Sequence, residues 1–569
     1  MRKMAFLVLA VALCAAASAG VETADVVIVG STPAGISAAV QLARMGKKAI
    51  VLSPTDRIGG MTTSGLGQTD VGRPEAFGGI ARDFYRSVSA YATGEWSERT
   101  QWCFSPSAAL RLLEILEKRE KLDIRRGERI DRSAGKVKVE GEGERRRIVS
   151  VLGESGTEYR AKMFVDATYE GDLMAAAGVS YVVGREGNAV YGETINGAQP
   201  GKGHHRLAQG IDPYVVRGDK SSGLLPGVET EPMGAVGAGD GRLQAYCYRL
   251  CLTDVESNRV PFAKPAGYDE REYEILFRHY ECGAATNEYP FSLGPLPEWK
   301  CDANNTGGVS FDWIGHSVRW PEASYAEREE IATAHKRYQQ GLLWTLANHP
   351  RVPQGIRDLV SKWGLAKDEF VDSDHWPRQI YVREARRMVG EYVMTEHECR
   401  GTRRVPRPVA CGAYQMDSHH CRRYVGADGF VHNEGDVQDG RDGALEPYGI
   451  DYLAIVPKRG ECGNLLVPVC LSASHIAYGS LRMEPVFFAL GQAAGTAAAL
   501  ALDAGCAVQD VDYASLRQRL VADGQALPRD GASCARPPLF SRVVPPKRLV
   551  RVVKDFRFSG FAPRFYFTR

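Results

Sequence analysis

At 569 residues the chain is longer than one hydrophobic core requires, and at about 150 residues per domain it divides into two to four units. Its hydrophobic share of 44% and charged share of 25% are those of an ordinary globular protein. A formal net charge of +2 excludes a general polyanion binder, so nucleic acid is not an expected partner.

Arg2 and Lys3 precede an apolar run from Met4 to Ala17 that ends in Ala17-Ser18-Ala19, the pattern of an export signal. Residues 1–19 are expected to be removed after Ala19, leaving a mature chain that starts at Gly20 in the periplasm or outside the cell. The run is too short to span a bilayer, and no other stretch reaches about 18 uninterrupted apolar residues, so no integral membrane segment is expected. Setting Cys14 aside, twelve of the thirteen cysteines remain, an even number that permits disulfides in an oxidising compartment. There is no C-x-x-C pair, and the thiols are too scattered for an iron–sulfur cluster. Cys247 and Cys251 have the spacing of one helix face, which reads as packing.

The stretch Ala24 to Gly60 organises the rest. Val26 to Val29 is a short apolar run that stops at Gly30, Ala34 to Met45 carries apolar residues at helical spacing, and Ala49 to Leu52 is a second apolar run. This predicts strand, turn, helix, strand. The turn Gly30-Ser31-Thr32-Pro33-Ala34-Gly35 would set backbone N–H groups and a positive helix end against a dinucleotide pyrophosphate. Thr32 stands where the usual fingerprint has its middle glycine, and Ser53 stands where a ribose-binding acid is expected. The turn alone is compatible with NAD, with FAD, or with a tight connection that binds nothing.

The connection from Ile58 to Gly67, with Gly59, Gly60 and Met61 at its head, is rich in glycine and in free amides, which suits close passage beside a flat cofactor as well as an ordinary surface loop. Ala108 to Lys118 predicts an amphipathic helix. Leu122 to Arg160 alternates short apolar and charged pieces with turns and predicts an antiparallel meander. Met163 to Thr168 follows as a buried strand ending in Asp166-Ala167-Thr168, beside the first strand, and an alanine-rich helix begins after Glu170-Gly171-Asp172.

Taken with these features, DATYEGDLMAAAGVSYVVGREG, VREARRMVGEYVMT and SASHIAYGSLRMEPVFFALGQAAGTAAALA resemble a family of FAD-dependent oxidoreductases of the glutathione-reductase-type fold. Its exported bacterial members are sometimes labelled xanthan lyase-like, and it is grouped with the flavin subunit of heterodisulfide reductase. The resemblance runs from Asp25 to Ala501. It implies an α/β protein: a Rossmann-like FAD-binding domain with a parallel sheet and an inserted meander, plus an α+β substrate or cap region. It implies FAD as the cofactor, with Ala167, Thr168 and the late helix residues Gly491, Gln492, Ala494 and Gly495 bordering it together with Gly30, Thr32, Pro33, Ala34, Gly35, Ser53, Gly59, Gly60 and Met61. The corresponding division is residues 20–180 and 378–502 for the two parts of the FAD-binding domain, 181–377 for the cap, and 503–569 for a final helix and basic tail. The lyase label has no mechanism here, since elimination from a uronic acid needs no flavin.

In the cap, Gln244 to Cys251 and Asp302 to Asn305 are pieces that either face substrate or pack, and Ala323 to His349 predicts a long helix ending near Pro350. Gln379 to Thr395 sets Arg383, Arg386 and Arg387 beside apolar positions; arginine suits bidentate recognition of a carboxylate or balance of a reduced flavin, and a solvated helix face is the alternative. Tyr414 to His420 leads into a glycine- and aspartate-rich loop, Gly426 to Gly443. Adjacent His419 and His420 do not face one point on a helix or strand, so no metal is expected and they read as a polar wall. Glu446 to Lys458 is strand-like again. In the last block Ser472-Ala473-Ser474-His475 and Arg482 precede a helix from Pro485 to Leu502, whose N-terminus, by the resemblance, points at the pyrimidine side of the flavin. His475 is the expected acceptor of a substrate proton, with Arg383 and Arg482 beside it. Asp503 to Leu527 holds another helical pattern, and Arg536 to Arg569 is basic and reads as a solvated tail or strap.

The expected activity is oxidation of a small polar substrate, a sugar or another alcohol or amine, by hydride transfer to flavin N5, with oxygen or a redox protein as electron acceptor. The alternatives are an electron-transfer flavoprotein resembling the heterodisulfide reductase subunit, which would need cluster cysteines of its own or on a partner, and a flavin- or carbohydrate-binding protein without turnover.

Overall fold

The computed structural model describes residues 20–201, 205–286 and 289–528; the leader and the basic tail from Arg536 lie outside the described residues. Val26–Val29 forms strand β1 with every residue buried, the chain turns at Gly30 into helix α1 (Pro33–Arg44), and β2 (Ala49–Ser53) returns parallel to β1. Thr32 caps α1, and Pro33 supplies a fixed φ where its missing N–H costs nothing. Helix α2 (Pro106–Glu120) crosses back to deliver β3 (Asp123–Arg126) beside β2, while β4 (Met163–Asp166) pairs with β1 on the other side. Leu465–Leu466 adds outside β4, so the sheet runs Leu465–Leu466, β4, β1, β2, β3, all parallel.

The meander is therefore shorter than Leu122 to Arg160. Its expected first strand is β3, an edge strand of the parallel sheet, because α2 carries the chain over that sheet first. The antiparallel strands are Val137–Glu140, Arg147–Leu152 and Glu158–Arg160, with Val21–Thr23 added parallel to the last.

The middle region contains a five-stranded sheet ordered Arg259–Val260, Gly364–Ala366, Leu250–Thr253, Lys300–Asn305, Phe291–Leu296, antiparallel throughout. Its long helix α3 (Tyr325–Asn348) starts at a reciprocal cap, in which the Ser324 hydroxyl accepts from Glu327 N and the Glu327 carboxylate accepts from Ser324 N. Ser324→Ala is expected to lower the unfolding free energy by about 1 kcal/mol, read by urea denaturation; no loss would show that α3 is held by packing alone. Cys247 and Cys251 are buried as packing residues, but on extended chain, where positions four apart also share a face. Ten cysteines among the described residues are free thiols, so the even count does not translate into a general disulfide framework.

Two further expectations change in the third region. Gly426 to Gly443 is not a loop: β5 (Pro408–Ser418) pairs antiparallel with β6 (Val437–Asp451), and between them Arg422–Val425 and Val431–Glu434 form a hairpin. Gly429 (φ 82°) and Gly435 (φ 98°) take the left-handed positions that the hairpin turn and its exit demand, so turn chemistry was mistaken for irregular chain. Gln379 to Thr395 is not a helix face either; it is extended and internal, pairing at Arg387–Met388 with Tyr181–Val182.

The chain closes with α4 (His475–Leu481), α5 (Glu484–Ala504) and a helix at Tyr513–Ala522. Helix α5 is long and apolar enough to cross a membrane, but it is buried in the core against α1. Gly491 and Gly495 make that contact: a Cβ at Gly491 would lie 2.1 Å from Ala34 O, and one at Gly495 2.7 Å from Ala38 O.

Candidate active site

The β1–α1 turn is a cradle of backbone. Gly30 has φ 100°, and a Cβ there would come 2.7 Å from Ala167 O; a Cβ on Gly35 would come 1.9 Å from Gly30 O. Only glycine lets β4 and the first turn of α1 close this tightly over Gly30. The N–H groups of Ser31, Thr32 and Ala34 make no hydrogen bond among the described residues, and they sit at the positive end of α1. This donor set fits the anionic pyrophosphate of FAD.

The hydroxyls around the turn are a different matter. Thr32 Oγ1 donates to Ala167 O at 2.7 Å and caps Gly35 N, and Ser53 Oγ donates to Thr55 O while sharing a 2.8 Å bond with Ser31 Oγ. Cofactor contacts at Thr32 and Ser53 would therefore rest on backbone N–H groups, because internal acceptors already hold both hydroxyls.

Gly59 (φ 95°) and Gly60 (φ 52°) begin the glycine segment, which is tied across the turn by Gly59 N donating to Ser31 O at 2.7 Å. It is wedged between α2 and Tyr169: a Cβ on Gly59 would meet Leu113, one on Gly60 would lie 2.5 Å from Tyr169 Oη, and Met61 N donates to that same hydroxyl at 3.0 Å. Thr168 folds back on Asp166, donating through N and Oγ1 to one carboxylate oxygen. Glu484, the first residue of α5, accepts from Thr62 Oγ1 at 2.8 Å and from Tyr169 Oη at 2.9 Å, and burial pushes its carboxyl up to about 7.

The late-helix residues act one layer out. Gly491 and Gly495 contact α1, Ala494 is buried, and Gln492 Oε1 accepts from Ile80 N at 2.8 Å. Gly491 and Gly495 seat α1, which presents the N–H groups, while Gln492 is spent on Ile80 N.

Between the end of the glycine segment and the start of α5 lies a buried cluster of acids and arginines. Arg482 Nη2 donates to Asp417 Oδ2 at 2.9 Å and Nη1 to Tyr381 Oη at 2.9 Å. Arg383 Nη2 donates to Asp312 Oδ1 at 2.8 Å, and Asp312 Oδ2 meets His419 Nδ1 at 2.7 Å. His419 Nε2 stands 3.4 Å from Asp417 Oδ2. Arg249 donates to Asp302 at 2.9 Å, and Asp302 also accepts from Gln68 N at 2.7 Å. The middle-region pieces Gln244–Cys251 and Asp302–Asn305 thus contribute Arg249 and Asp302.

Three groups in this cluster carry polar atoms with no hydrogen bond among the described residues. The half-buried Asp70 carboxylate has no hydrogen bond among the described residues; burial raises its pKa, opposed by Arg249. Asp436 Oδ2 and Arg482 Nε are buried and also without partners there, and burial pushes Asp436 up to about 7. For His419, burial and Arg383 pull the pKa down, but Asp312 and Asp417 outweigh them and leave it above the usual histidine value. Burial opposes ionisation of Asp417, yet His419 and Arg482 bring it down to about 2.

His475 does not face this cluster. It opens α4 under the Ser474 cap, is 2% exposed, and spends both ring nitrogens: Nδ1 on Glu384 at 2.8 Å and Nε2 on Ser418 Oγ at 3.0 Å. Gln244 closes a ring by donating to Glu384 at 2.8 Å and accepting from His419 N at 3.2 Å. His475 therefore braces the end of β5 that carries Asp417 and His419. Arg386 turns to Asp172 and Glu322, and Arg387 to Glu384 and Glu186, so Arg383 alone of that trio reaches the cluster. His419 and His420 diverge, the second toward His205, and no metal-ligand group occurs among the described residues.

Asp70, Asp312, Tyr381 and Asp417 went unrecognised in the sequence. Asp417 sits in the stretch flagged for its histidines, and Asp70 just follows the glycine segment; Asp312 carries no motif, and only the fold brings it within reach.

A model of the family described as FAD dependent oxidoreductase matches residues 25–520. Among solved structures, a flavin-containing monooxygenase from Stenotrophomonas maltophilia is similar at 20% identity, covering 30% of this chain and 43% of that one, with a TM-score of 0.19. The OxyS anhydrotetracycline hydroxylase from Streptomyces rimosus is similar at 16% identity over 33% of this chain and 39% of that one, TM-score 0.22. THI4 from Thermovibrio ammonificans is similar at 18% over 29% and 66%, TM-score 0.22. The chain spans less than half the length of the first two and about two thirds of the third. No curated protein matches the sequence.

Proposed function

Since the chain belongs to the FAD-dependent oxidoreductase family, we propose that it oxidises a small polar substrate, a sugar or another alcohol or amine, held in the Asp/Arg cluster, and that the electrons leave to oxygen or a redox protein. FAD, when bound, would supply the two-electron acceptor for that oxidation. The observation that carries this reading is the position of the cluster: Arg249 and Asp302 are built onto the glycine segment, and Arg482 lies two residues before α5. The N–H groups of Ser31, Thr32 and Ala34 would hold the FAD pyrophosphate. The N-terminus of α5 favours negative charge, and a carboxyl at about 7 on Glu484 opposes that dipole less than an ordinary glutamate would. Arg482 orients Asp417 and Tyr381, Arg383 orients Asp312, and their burial keeps bulk water from the reacting carbon.

The purified protein is expected to be yellow, with flavin absorption bands that bleach anaerobically on addition of one member of a panel of sugars, alcohols and amines. A colourless protein that takes up no FAD would overturn the reading. We also place the mature protein outside the cytoplasm, on the strength of the Met4–Ala17 run and the Ala17-Ser18-Ala19 site. Sequencing the N-terminus of the accumulated protein should find Gly20 or a neighbour; an intact Met1 in the cytoplasm would refute export.

A further inference from the structure

We propose that the cluster is built for a neutral polyhydroxylated molecule, a sugar or polyol, and that His419 receives the proton of the hydroxyl being oxidised. This rests on the oxidoreductase reading above and narrows both its substrate class and its proton acceptor.

Charge decides the class first. Arg249, Arg383 and Arg482 are each paired with a carboxylate of the protein, Asp302, Asp312 and Asp417, at 2.8–2.9 Å. Asp70 and Asp436 add two more carboxyl groups without a paired cation. Each of the three guanidiniums already has a carboxylate of the protein, so an anionic substrate finds no arginine without a counter-ion, and the raised Asp70 and Asp436 carboxyls add no positive charge. The partnerless atoms decide the rest. Asp70 and Asp436 Oδ2 accept, Arg482 Nε donates, and the half-buried Tyr414 stands near Asp70 and Arg482. A hydroxyl donates and accepts at once and satisfies both kinds; an ammonium group donates only and would leave Arg482 Nε unpaired.

His419 has the geometry of an oriented base. Asp312 fixes Nδ1 at 2.7 Å and is itself fixed by Arg383, while the Gln244 bond to His419 N and the Ser418 bond to His475 hold the backbone. Nε2 has only a 3.4 Å neighbour, Asp417 Oδ2, which Arg482 already engages at 2.9 Å. A substrate hydroxyl at that nitrogen would displace this long contact. In the step, the C–H bond breaks and its electron pair leaves with the hydrogen to FAD. The O–H bond breaks and its proton goes to His419 Nε2, and the carbon–oxygen bond becomes a carbonyl. The alcohol loses two electrons and the cofactor gains two, which oxygen or a redox protein later removes.

The groups that face His419 are Asp312, Asp417, Arg383, Asp70, Asp436 and His420. His419 must be neutral to accept the proton, so kcat/KM is expected to rise with pH and level off above neutrality.

The test uses the full-length holoenzyme and three sets of probes: neutral hexoses and pentitols, the matching uronic acids, and the matching amino sugars. Neutral members are expected to bleach the flavin and the charged ones to be at least about tenfold poorer in kcat/KM. His419→Gln is expected to slow bleaching by 100-fold or more, to leave the dissociation constant, read by flavin fluorescence, within about threefold, and to flatten the pH profile. Asp70→Asn touches no partner in the fold and is expected to weaken binding about tenfold, with unchanged flavin content. A preference for uronic acids or amino sugars, or a yellow protein that no neutral polyol bleaches, overturns the substrate class. His419→Gln turning over within a few-fold of wild type overturns the proton acceptor. Either result leaves FAD binding standing, whereas a colourless protein refutes the parent reading instead.

Discussion

Gly35→Ala is expected to yield a protein that retains no flavin and unfolds at markedly lower denaturant. The new Cβ would lie 1.9 Å from Gly30 O and 3.3 Å from the Ala167 Cβ, so the clash is with backbone, which has no rotamer to yield. Gly30 cannot retreat, because at φ 100° it is itself packed on Ala167. Overpacking a core costs about 1–3 kcal/mol where side chains adjust; a contact this short between two backbone segments should exceed the upper end. Any relief moves α1 away from β1, and with it the N–H groups of Ser31, Thr32 and Ala34. Thr32→Ser is the control: it keeps the hydroxyl that donates to Ala167 O at 2.7 Å and caps Gly35 N, and should keep both flavin and stability. The ratio of flavin to protein absorbance and the urea midpoint read the two effects. A yellow, stable Gly35→Ala protein would show that α1 can shift without losing the cofactor.

The same turn shows why part of the fold was legible. β1, α1 and β2 are local: four apolar residues, a glycine, a capping Thr-Pro and helical periodicity lie within about thirty residues, and the structure matches them within a residue or so. Helix α3 was equally plain, because Ser324 and Glu327 write its start. β3 was misassigned because Asp123–Arg126 is charged; what makes it a parallel strand is the crossover α2, not its own pattern. The hairpin within Gly426 to Gly443 was missed because glycine and aspartate signal a turn without saying whether strands flank it.

Of the expected catalytic residues, Arg383 and Arg482 lie in the acid–arginine cluster and His475 does not. His475 looked like a base because it is a lone histidine next to the segment that leads into α5. Both nitrogens of its ring are instead engaged by Glu384 and Ser418, whereas His419, contributed from the end of β5, is held at Nδ1 by Asp312 from the middle region. Ionic networks of this kind join residues more than a hundred positions apart, such as Asp312 and His419 or Gln244 and Glu384. No spacing rule reports them. Thr32 and Ser53 were noticed as departures, but that their hydroxyls are spent on the protein itself depends on carbonyls at Ala167 and Thr55.

Glu384→Gln is expected to destabilise the protein by about 3–5 kcal/mol at neutral pH, the usual result of removing one partner from a buried ionic network. Glu384 is fully buried between His475, Arg387 and Gln244, and Arg387, itself fully buried, would keep Glu186 as its one carboxylate, beside the Ala473 carbonyl. Burial alone would raise the Glu384 carboxyl, but His475 and Arg387 overcome it and hold it at about 2, below the ordinary 4.5. A folded-state value below the unfolded one means that ionised Glu384 stabilises the fold above pH 4.5, and that this is lost as pH falls toward 2. The gap corresponds to about 3 kcal/mol, of which about 2 kcal/mol disappears between pH 7 and pH 3. Glutamine does not titrate, so the stability difference between wild type and variant should narrow by that amount over the same range. The other depressed carboxylates, Asp312 and Asp417, are present in both proteins and cancel in the difference. Urea midpoints measured from pH 7 down to pH 3 give the comparison directly. A difference that stays constant with pH would show that Glu384 contributes through packing rather than charge, and the ring that steadies His419 would then owe its rigidity to Gln244 and Ser418.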